Sequence, residues 1–255
     1  MIDIKDVCFR YEENEVLHNI NLKVPEGSFT VIVGPNGGGK TTLLRLILGL
    51  LKPRYGSICV MGLPPEKARQ FVSYVPQSIQ YDEQFPVSVA EIVLMGRIAD
   101  HCLGGYSRKD REIALQAIGE VGLEGFERKP FAELSGGERQ RTLIAQALAS
   151  QPRLMLLDEP GANLDPDNRL RLYELLTRLN ERMTILMVSH NLNVIASHAS
   201  HVICVNRTAS MHLIGEVSEK ELANGVWTHL HHENCPVSEH ELAAEDSPHC
   251  ALEHK

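Results

Sequence analysis

The chain has 255 residues, enough for one large α/β domain or two small ones, and its 43% apolar content supplies a core. Most of the formal charge of −8 falls after residue 214, where nine carboxylates face two lysines, and no Lys/Arg run marks a nucleic-acid groove. No stretch approaches the roughly 18 uncharged apolar residues of a membrane span, and "MIDIKDVCFRYEENEV" lacks a signal-peptide core, so any membrane role is expected to run through a partner.

In chain order, "SFTVIVG" (28–34) is apolar almost throughout and predicts a strand covered on both faces. A Leu-rich helix is expected over 41–50, after a Gly-rich loop, and "FVSYVP" (71–76) predicts the next strand. From about Val87 to Ser150 the patterns turn helical: "SVAEIVLMGR", "SRKDREIALQAIGEVG" and "GGERQRTLIAQALAS", with "GLEGFERKP" as a loop. This reads as an inserted helical subdomain. Strands at 153–160, 184–190 and 201–206 then alternate with helices at 166–182 and 191–199, which predicts a doubly wound α/β core with a mostly parallel sheet.

The last forty residues have no sustained periodicity and read as flexible, apart from a short helix near 218–224. The six cysteines form no C-x-x-C pair and suggest a reducing, cytosolic compartment. Cys8, Cys59 and Cys204 lie in apolar runs and are expected to be buried.

"GPNGGGKTT" covers Gly34, Pro35, Asn36, Gly37, Gly38, Gly39, Lys40, Thr41 and Thr42. It follows a strand and opens a helix, the context a phosphate-binding P-loop requires. Glycines let successive N–H groups turn toward phosphate oxygens, and the helix N-terminus adds its positive end. Lys40 can bridge β- and γ-phosphates, and the Thr41 hydroxyl can ligate Mg²⁺. The bland alternative is a glycine turn without a ligand, and a chance match in a chain this long is on the order of a per cent.

"LMLLDEP" (154–160) delivers two carboxylates at the carboxyl end of a strand, where α/β proteins bind ligands. Asp158 suits Mg²⁺, and Glu159 suits polarising an attacking water. "ELSGGERQR" (133–141) offers a second anion site from Ser135, the N–H groups of Gly136 and Gly137, and the helix that follows. Alone, Ser-Gly-Gly before a helix is an ordinary cap; its place 95 residues after Lys40 and just before the acid pair gives it weight.

Together these stretches resemble the P-loop, acid pair and signature of ATP-binding-cassette (ABC) ATPases. The resemblance covers residues 2 to about 215 and implies an ATPase domain over 1–215, with a helical subdomain at about 87–150, an antiparallel β region near the N-terminus and a tail at 216–255. In this family the nucleotide lies between the P-loop of one subunit and the signature of another, which implies a homodimer binding ATP and Mg²⁺. By the same resemblance Tyr11 stacks on adenine, Gln77 senses the γ-phosphate or Mg²⁺ and faces the membrane subunit, Asp165 belongs to the D-loop "NLD", and His190 contacts the γ-phosphate. Two positions depart from the usual pattern. Glu138 replaces a Gln of the signature, and Gly161 stands where Ser or Thr is frequent.

A repair-type ATPase needs a long coiled-coil insertion that 95 residues cannot hold, and translation-type members carry two cassettes and basic surfaces. The expectation is therefore an importer subunit on the cytoplasmic face of the inner membrane, partnered by permease subunits, served by an extracytoplasmic substrate-binding protein, and binding no nucleic acid. "QSIQYDEQFPVSVAEIVLMGR" (77–97) and "VICVNR" (202–207) resemble ATPases of zinc and manganese importers; siderophore, haem and cobalamin importers use similar cassettes.

"HLHHENCPVSEHELAAEDSPHC" (229–250) remains. His229, His231, His232 and Cys235 are close enough in a flexible chain to wrap Zn²⁺, and imidazole with thiolate suits zinc better than manganese. The competing reading is a solvated acidic tail.

Overall fold

The computed structural model describes residues 1–77, 86–98, 105–189 and 197–214. They form two compact units, one holding Met1–Arg69 and the chain from Leu186 onward, the other Gln70–Ile185.

In the first unit, β1 (Ile2–Tyr11) and β2 (Asn14–Val24) make an antiparallel hairpin, and β4 (Tyr55–Val60) pairs antiparallel on the other side of β1. This is the antiparallel region expected near the N-terminus. The pleat buries Ile2, Ile4, Leu22, Val24, Ile58 and Val60. Regular pairing is interrupted after Ile4, where Asp6 takes a φ of 49°. The Asp6 N–H donates to Asn21 Oδ1 and the Asn21 amide donates back to Asp6 Oδ1, both at 3.0 Å, so short polar side chains fasten the bulge. Cys59 corrects an expectation. β4 alternates, with Ile58 and Val60 inward, so Cys59 points out and is exposed, whereas Cys8 and Cys204 are buried.

A second set of strands in this unit joins β3 (Phe29–Val33) parallel to β8 (His201–Asn206), and β8 antiparallel to β9 (Thr208–Leu213). All five residues of β3 and the middle four of β8 are buried, as continuous apolar runs require. "TASMHL" in β9 has no such run; it is a strand because β8 supplies its partner. Helix α1 (Lys40–Ile47) packs on β4 together with the single turn α2 (Pro65–Ala68). It stops short of the expected residue 50 because Gly49, at φ 66°, takes the left-handed conformation that ends helices.

In the second unit, β5 (Val72–Val75) pairs parallel with β6 (Leu154–Asp158), which is buried along its length. The division between units falls within β7 (Thr184–Val188). Helices α3 (Val89–Met95), α4 (Arg108–Glu120) and α5 (Gly136–Ala149) pack on one another, and α5 also packs on β5. All three start the same way. Ser88, Ser107 and Ser135 each accept from the backbone three residues on, and Glu91, Asp110 and Glu138 each accept from the serine N–H in return. Each capping box contributes about 1 kcal/mol to its helix. α6 (Pro166–Asn180) begins instead with Asp165 as cap and proline in its first turn.

Two residues lock α3 to its neighbours. A Cβ built at Gly96 would lie 2.1 Å from the Gln146 carbonyl oxygen, so only glycine lets α3 approach α5 this closely. Arg97 donates from Nε to Asp110 Oδ1 at 3.1 Å and from Nη1 to the Ala149 carbonyl at 3.0 Å, joining all three helices with a buried ion pair. The expected helix at 191–199 lies mostly outside the described residues, and the one near 218–224 entirely so. No helix among the described residues is long and apolar enough to cross a membrane.

Candidate functional site

In the first unit the Gly-rich loop runs from the end of β3 into α1. A Cβ at Gly34, whose φ is 147°, would lie 1.9 Å from the Val205 carbonyl oxygen. At Gly39, with φ 103°, it would lie 2.6 Å from Leu17 Cδ2. The loop is thus pressed against β8 on one flank and β2 on another, and only backbone fits there. Lys40 is buried and donates from Nζ to the carbonyl oxygens of Gly34 and Pro35, each at 2.9 Å. Its ammonium is held on the loop itself. Thr41 and Thr42 follow in the first turn of α1, and Asn36 and Gly37 are exposed on the loop. Tyr11, at the end of β1, is 40% exposed while Phe9 meets its ring edge-on at 4.9 Å, so the ring is braced and still accessible.

In the second unit β6 ends in Asp158, which is buried, and Glu159 turns the chain with a φ of 47°. For a residue with a side chain this conformation costs on the order of 1 kcal/mol or more, and such strain gathers at functional sites. The Gln77 side-chain amide donates to Glu159 Oε2 at 2.9 Å, bringing together two residues 82 positions apart. Sequence reasoning passed over Tyr74. It stands on β5 beside β6 and its hydroxyl lies 3.5 Å from Asp158 Oδ2; a polar tip in an apolar strand was the available signal.

The signature begins α5. Ser135 Oγ accepts from the Glu138 N–H at 3.3 Å, and the Ser135 N–H donates to Glu138 Oε2 at 2.7 Å. That backbone bond holds the Glu138 carboxyl below its usual pKa against the opposing effect of burial; the Ser135 hydroxyl, Lys129 and Arg141 add smaller pulls in the same direction. Lys129 stands 3.7 Å from Glu138 and over the Phe126 ring. The unusual Glu138 therefore completes a capping box while placing a negative charge at the start of a helix. A Cβ at Gly137 would lie 2.7 Å from the Asn168 side chain, whose amide in turn donates to Asp165 Oδ2 at 2.7 Å. That bond, more than the Asn168 N–H, lowers the Asp165 pKa. Asp165 thus has a local task as the cap of α6. The other departure, Gly161, is explained by packing, since a Cβ there would lie 2.7 Å from the Tyr173 hydroxyl.

Gln77, Glu159, Pro160, Gly136, Arg139 and Gln140 border one cleft of the second unit, with Asn163 and Leu164 closing it. His190 lies outside the described residues, as do His229, His231, His232 and Cys235.

A glycine loop with a buried lysine at a helix start, and a strand ending in two acids, define a P-loop nucleotide-binding protein. The ABC transporter family model matches residues 17–162, and the chain belongs to that family. A probable metal transport system ATP-binding protein of Chlamydia pneumoniae is 42% identical over 79% of this chain and 84% of its own length. The zinc uptake system ATP-binding protein ZurA of Listeria monocytogenes is 38% identical over 81% of this chain and 83% of its own. Among solved structures, a dimeric ATP-binding cassette with bound ADP and Pi superposes with a TM-score of 0.73 at 28% identity, covering 84% of this chain and 99% of that one. The chain is accordingly an ABC-type α/β ATPase that binds ATP with Mg²⁺ and hydrolyses it in transport, and cassettes of this kind dimerise and work with membrane permeases.

Proposed function

We propose that this chain is the ATP-hydrolysing subunit of an importer for a divalent metal ion, zinc or manganese. Its similarity to proteins named for zinc uptake and metal transport supports the cargo. The hydrogen bond between Gln77 and Glu159 carries the hydrolytic reading, because it joins the carboxylate best placed to orient water to the glutamine expected to face a permease.

The residues present fit a magnesium nucleotide. The loop at Gly34 and Gly39 admits backbone alone, which suits N–H groups wrapping a polyphosphate, and the buried Asp158 suits a hard cation. Thr41, Gln77 and Asp158 would hold Mg²⁺, which would supply charge neutralisation to the phosphate oxygens. Lys40 adds a second positive charge to the same oxygens. Glu159 accepts a hydrogen bond from the attacking water and aims it, and His190 contacts the γ-phosphate. Tyr11 stacks on adenine. Ser135, Gly136, Gly137 and Asp165 of a second copy close the nucleotide from the other side. A permease docks at the segment from Gln77 to Arg97, part of which lies outside the described residues, an extracytoplasmic binding protein delivers the metal, and the ATPase sits peripherally on the cytoplasmic face.

Replacing Glu159 by Gln tests this. Positioning and charge supply most of the catalysis in phosphoryl transfer, so turnover should fall by roughly three powers of ten or more while ATP affinity stays within about threefold. Turnover near that of the parent, measured by phosphate release, would move the base elsewhere. For the tail, the proposal is that His229, His231, His232 and Cys235 take Zn²⁺ and report cytosolic metal. A chain ending at Trp227 should lose zinc binding in calorimetry yet keep its basal ATPase; equal zinc binding by both chains would remove the tail from the mechanism.

A further inference from the structure

The turn between β8 and β9 consists of one residue, Arg207, flanked by the paired Asn206 and Thr208. Arg207 has a φ of 62°, a conformation glycine takes freely and arginine does not. The strained residue has two backbone partners in other elements. Its N–H donates to the Gly38 carbonyl oxygen at 3.1 Å, and its own carbonyl accepts from the His18 N–H of β2 at 2.7 Å. Immediately before it, the Val205 carbonyl oxygen lies where Cβ atoms of Gly34 and Gly38 would be, 1.9 and 3.0 Å from those positions. The β8–β9 turn is therefore the back wall of the phosphate loop.

From this geometry we infer that Arg207 is a positioning residue for nucleotide binding, acting through its backbone. The carbonyl of Gly38 and the N–H of Gly39 belong to a single trans peptide unit, so they point in opposite directions. Drawing the Gly38 oxygen toward Arg207 turns the Gly39 N–H away from the turn, to the face of the loop where successive amides meet phosphate. Glycines let that peptide rotate freely, so without an external hold the 38–39 unit samples orientations that aim the donor elsewhere. Arg207 removes that freedom before the nucleotide arrives. The left-handed φ keeps the turn to one residue, short enough for the same residue to reach both Gly38 and His18.

The inference rests on the assignment of Gly34–Thr42 as the triphosphate loop, and its test separates the two. Three proteins are compared with the parent in the full chain: Arg207→Gly, Arg207→Val, and a chain carrying the α-hydroxy analogue of arginine at 207, which replaces the N–H by an ester oxygen. Arg207→Gly keeps the donor and takes the positive φ without strain, so its ATP affinity should stay within about twofold. Arg207→Val disfavours that φ, and the ester lacks the donor. Both should weaken ATP about fivefold to tenfold, raise KM more than they lower kcat, and leave adenosine affinity unchanged. The ester keeps the side chain, so it remains informative if the valine variant folds poorly. ATP binding by the ester chain at parental strength would overturn the inference, and so would equal losses for ATP and adenosine, which would mark the turn as a structural support only. Lys40→Ala is the control: unchanged ATP affinity there would instead defeat the loop assignment itself, and the inference with it.

Discussion

The phosphate loop and the acid end of β6 solve a similar backbone problem in opposite ways. Both need residues in the left-handed region. The loop assigns them to Gly34, Gly37 and Gly39, whereas the strand end assigns one to Glu159. In the loop the proposed chemistry lies in the backbone, so the side chain can be given up, and at Gly34 and Gly39 neighbours have closed in until a Cβ no longer fits. At Glu159 the proposed chemistry is that of the carboxylate, so the side chain stays and the conformation is borne as strain. Where function resides in the main chain, evolution can remove strain with glycine; where it resides in a side chain, it cannot.

Substitutions can break this comparison from either side, and the largest effect is expected in the loop. Gly34→Ala must displace the Val205 carbonyl, and the loop and β8 cannot both keep their places. ATP affinity should fall by about a hundredfold or more, with a stability loss of roughly 2–4 kcal/mol from overpacking and strain. Parental ATP binding by that variant in calorimetry would show that the close approach to β8 is dispensable.

Glu159→Gly runs the comparison in reverse. It removes the strained side chain and the Gln77 bond together, so activity should disappear while stability is unchanged or rises by up to about 1 kcal/mol. An unfolding free energy lowered by the substitution, measured by chemical denaturation, would mean that the positive φ at Glu159 carries little strain.

The smallest effect concerns Glu138, where a charge has been added to a helix start. Its pKa is lowered in the folded chain, so its stabilising contribution is complete above the ordinary carboxylate pKa, near 4.5, and is lost as the pH falls through the lower folded value. Glu138→Gln keeps the capping geometry without the charge. The stability difference between parent and variant should therefore be largest at neutral pH and shrink below about pH 4.5, amounting to a few tenths of a kcal/mol for this solvent-screened group. If the segment at Ser135 closes on the nucleotide as proposed, the same variant should bind ATP in the dimer slightly more tightly, because one negative charge near the anion is gone. A stability difference that did not vary with pH, in melts between pH 3 and 7, would contradict the stabilising role given to the Glu138 charge.

Local chemistry made much of the molecule legible without its structure. The apolar runs of β3, β6 and β8 read as strands because burial on both faces leaves few polar positions in them, and apart from Thr30 those stand at the strand ends. Helices α3, α4 and α5 announce their starts through serine and an acid three residues later, all within one turn of chain. The nucleotide motifs were equally visible, since loop, lysine, acid pair and signature are each contiguous. β9 and the true end of α1 were not, the first because its pairing partner lies across a turn and the second because Gly49 outweighed an apolar pattern.

What only the tertiary structure decided shares a different physical character: each case depends on what a residue meets far along the chain. Gly96 looks like an ordinary helix end until the Gln146 carbonyl is found against it, and Arg97 looks like a surface cation until Asp110 and Ala149 surround it. Gly161 departs from its motif because of Tyr173. Arg207 ends a stretch whose resemblance says nothing of the phosphate loop, and its hold on Gly38 spans most of the chain. The sequence by itself determined which groups are proposed for the chemistry, because reactive types and local propensities are properties of short segments. Close packing decided how those groups are held, because only the folded chain brings a distant carbonyl or hydroxyl within reach of them.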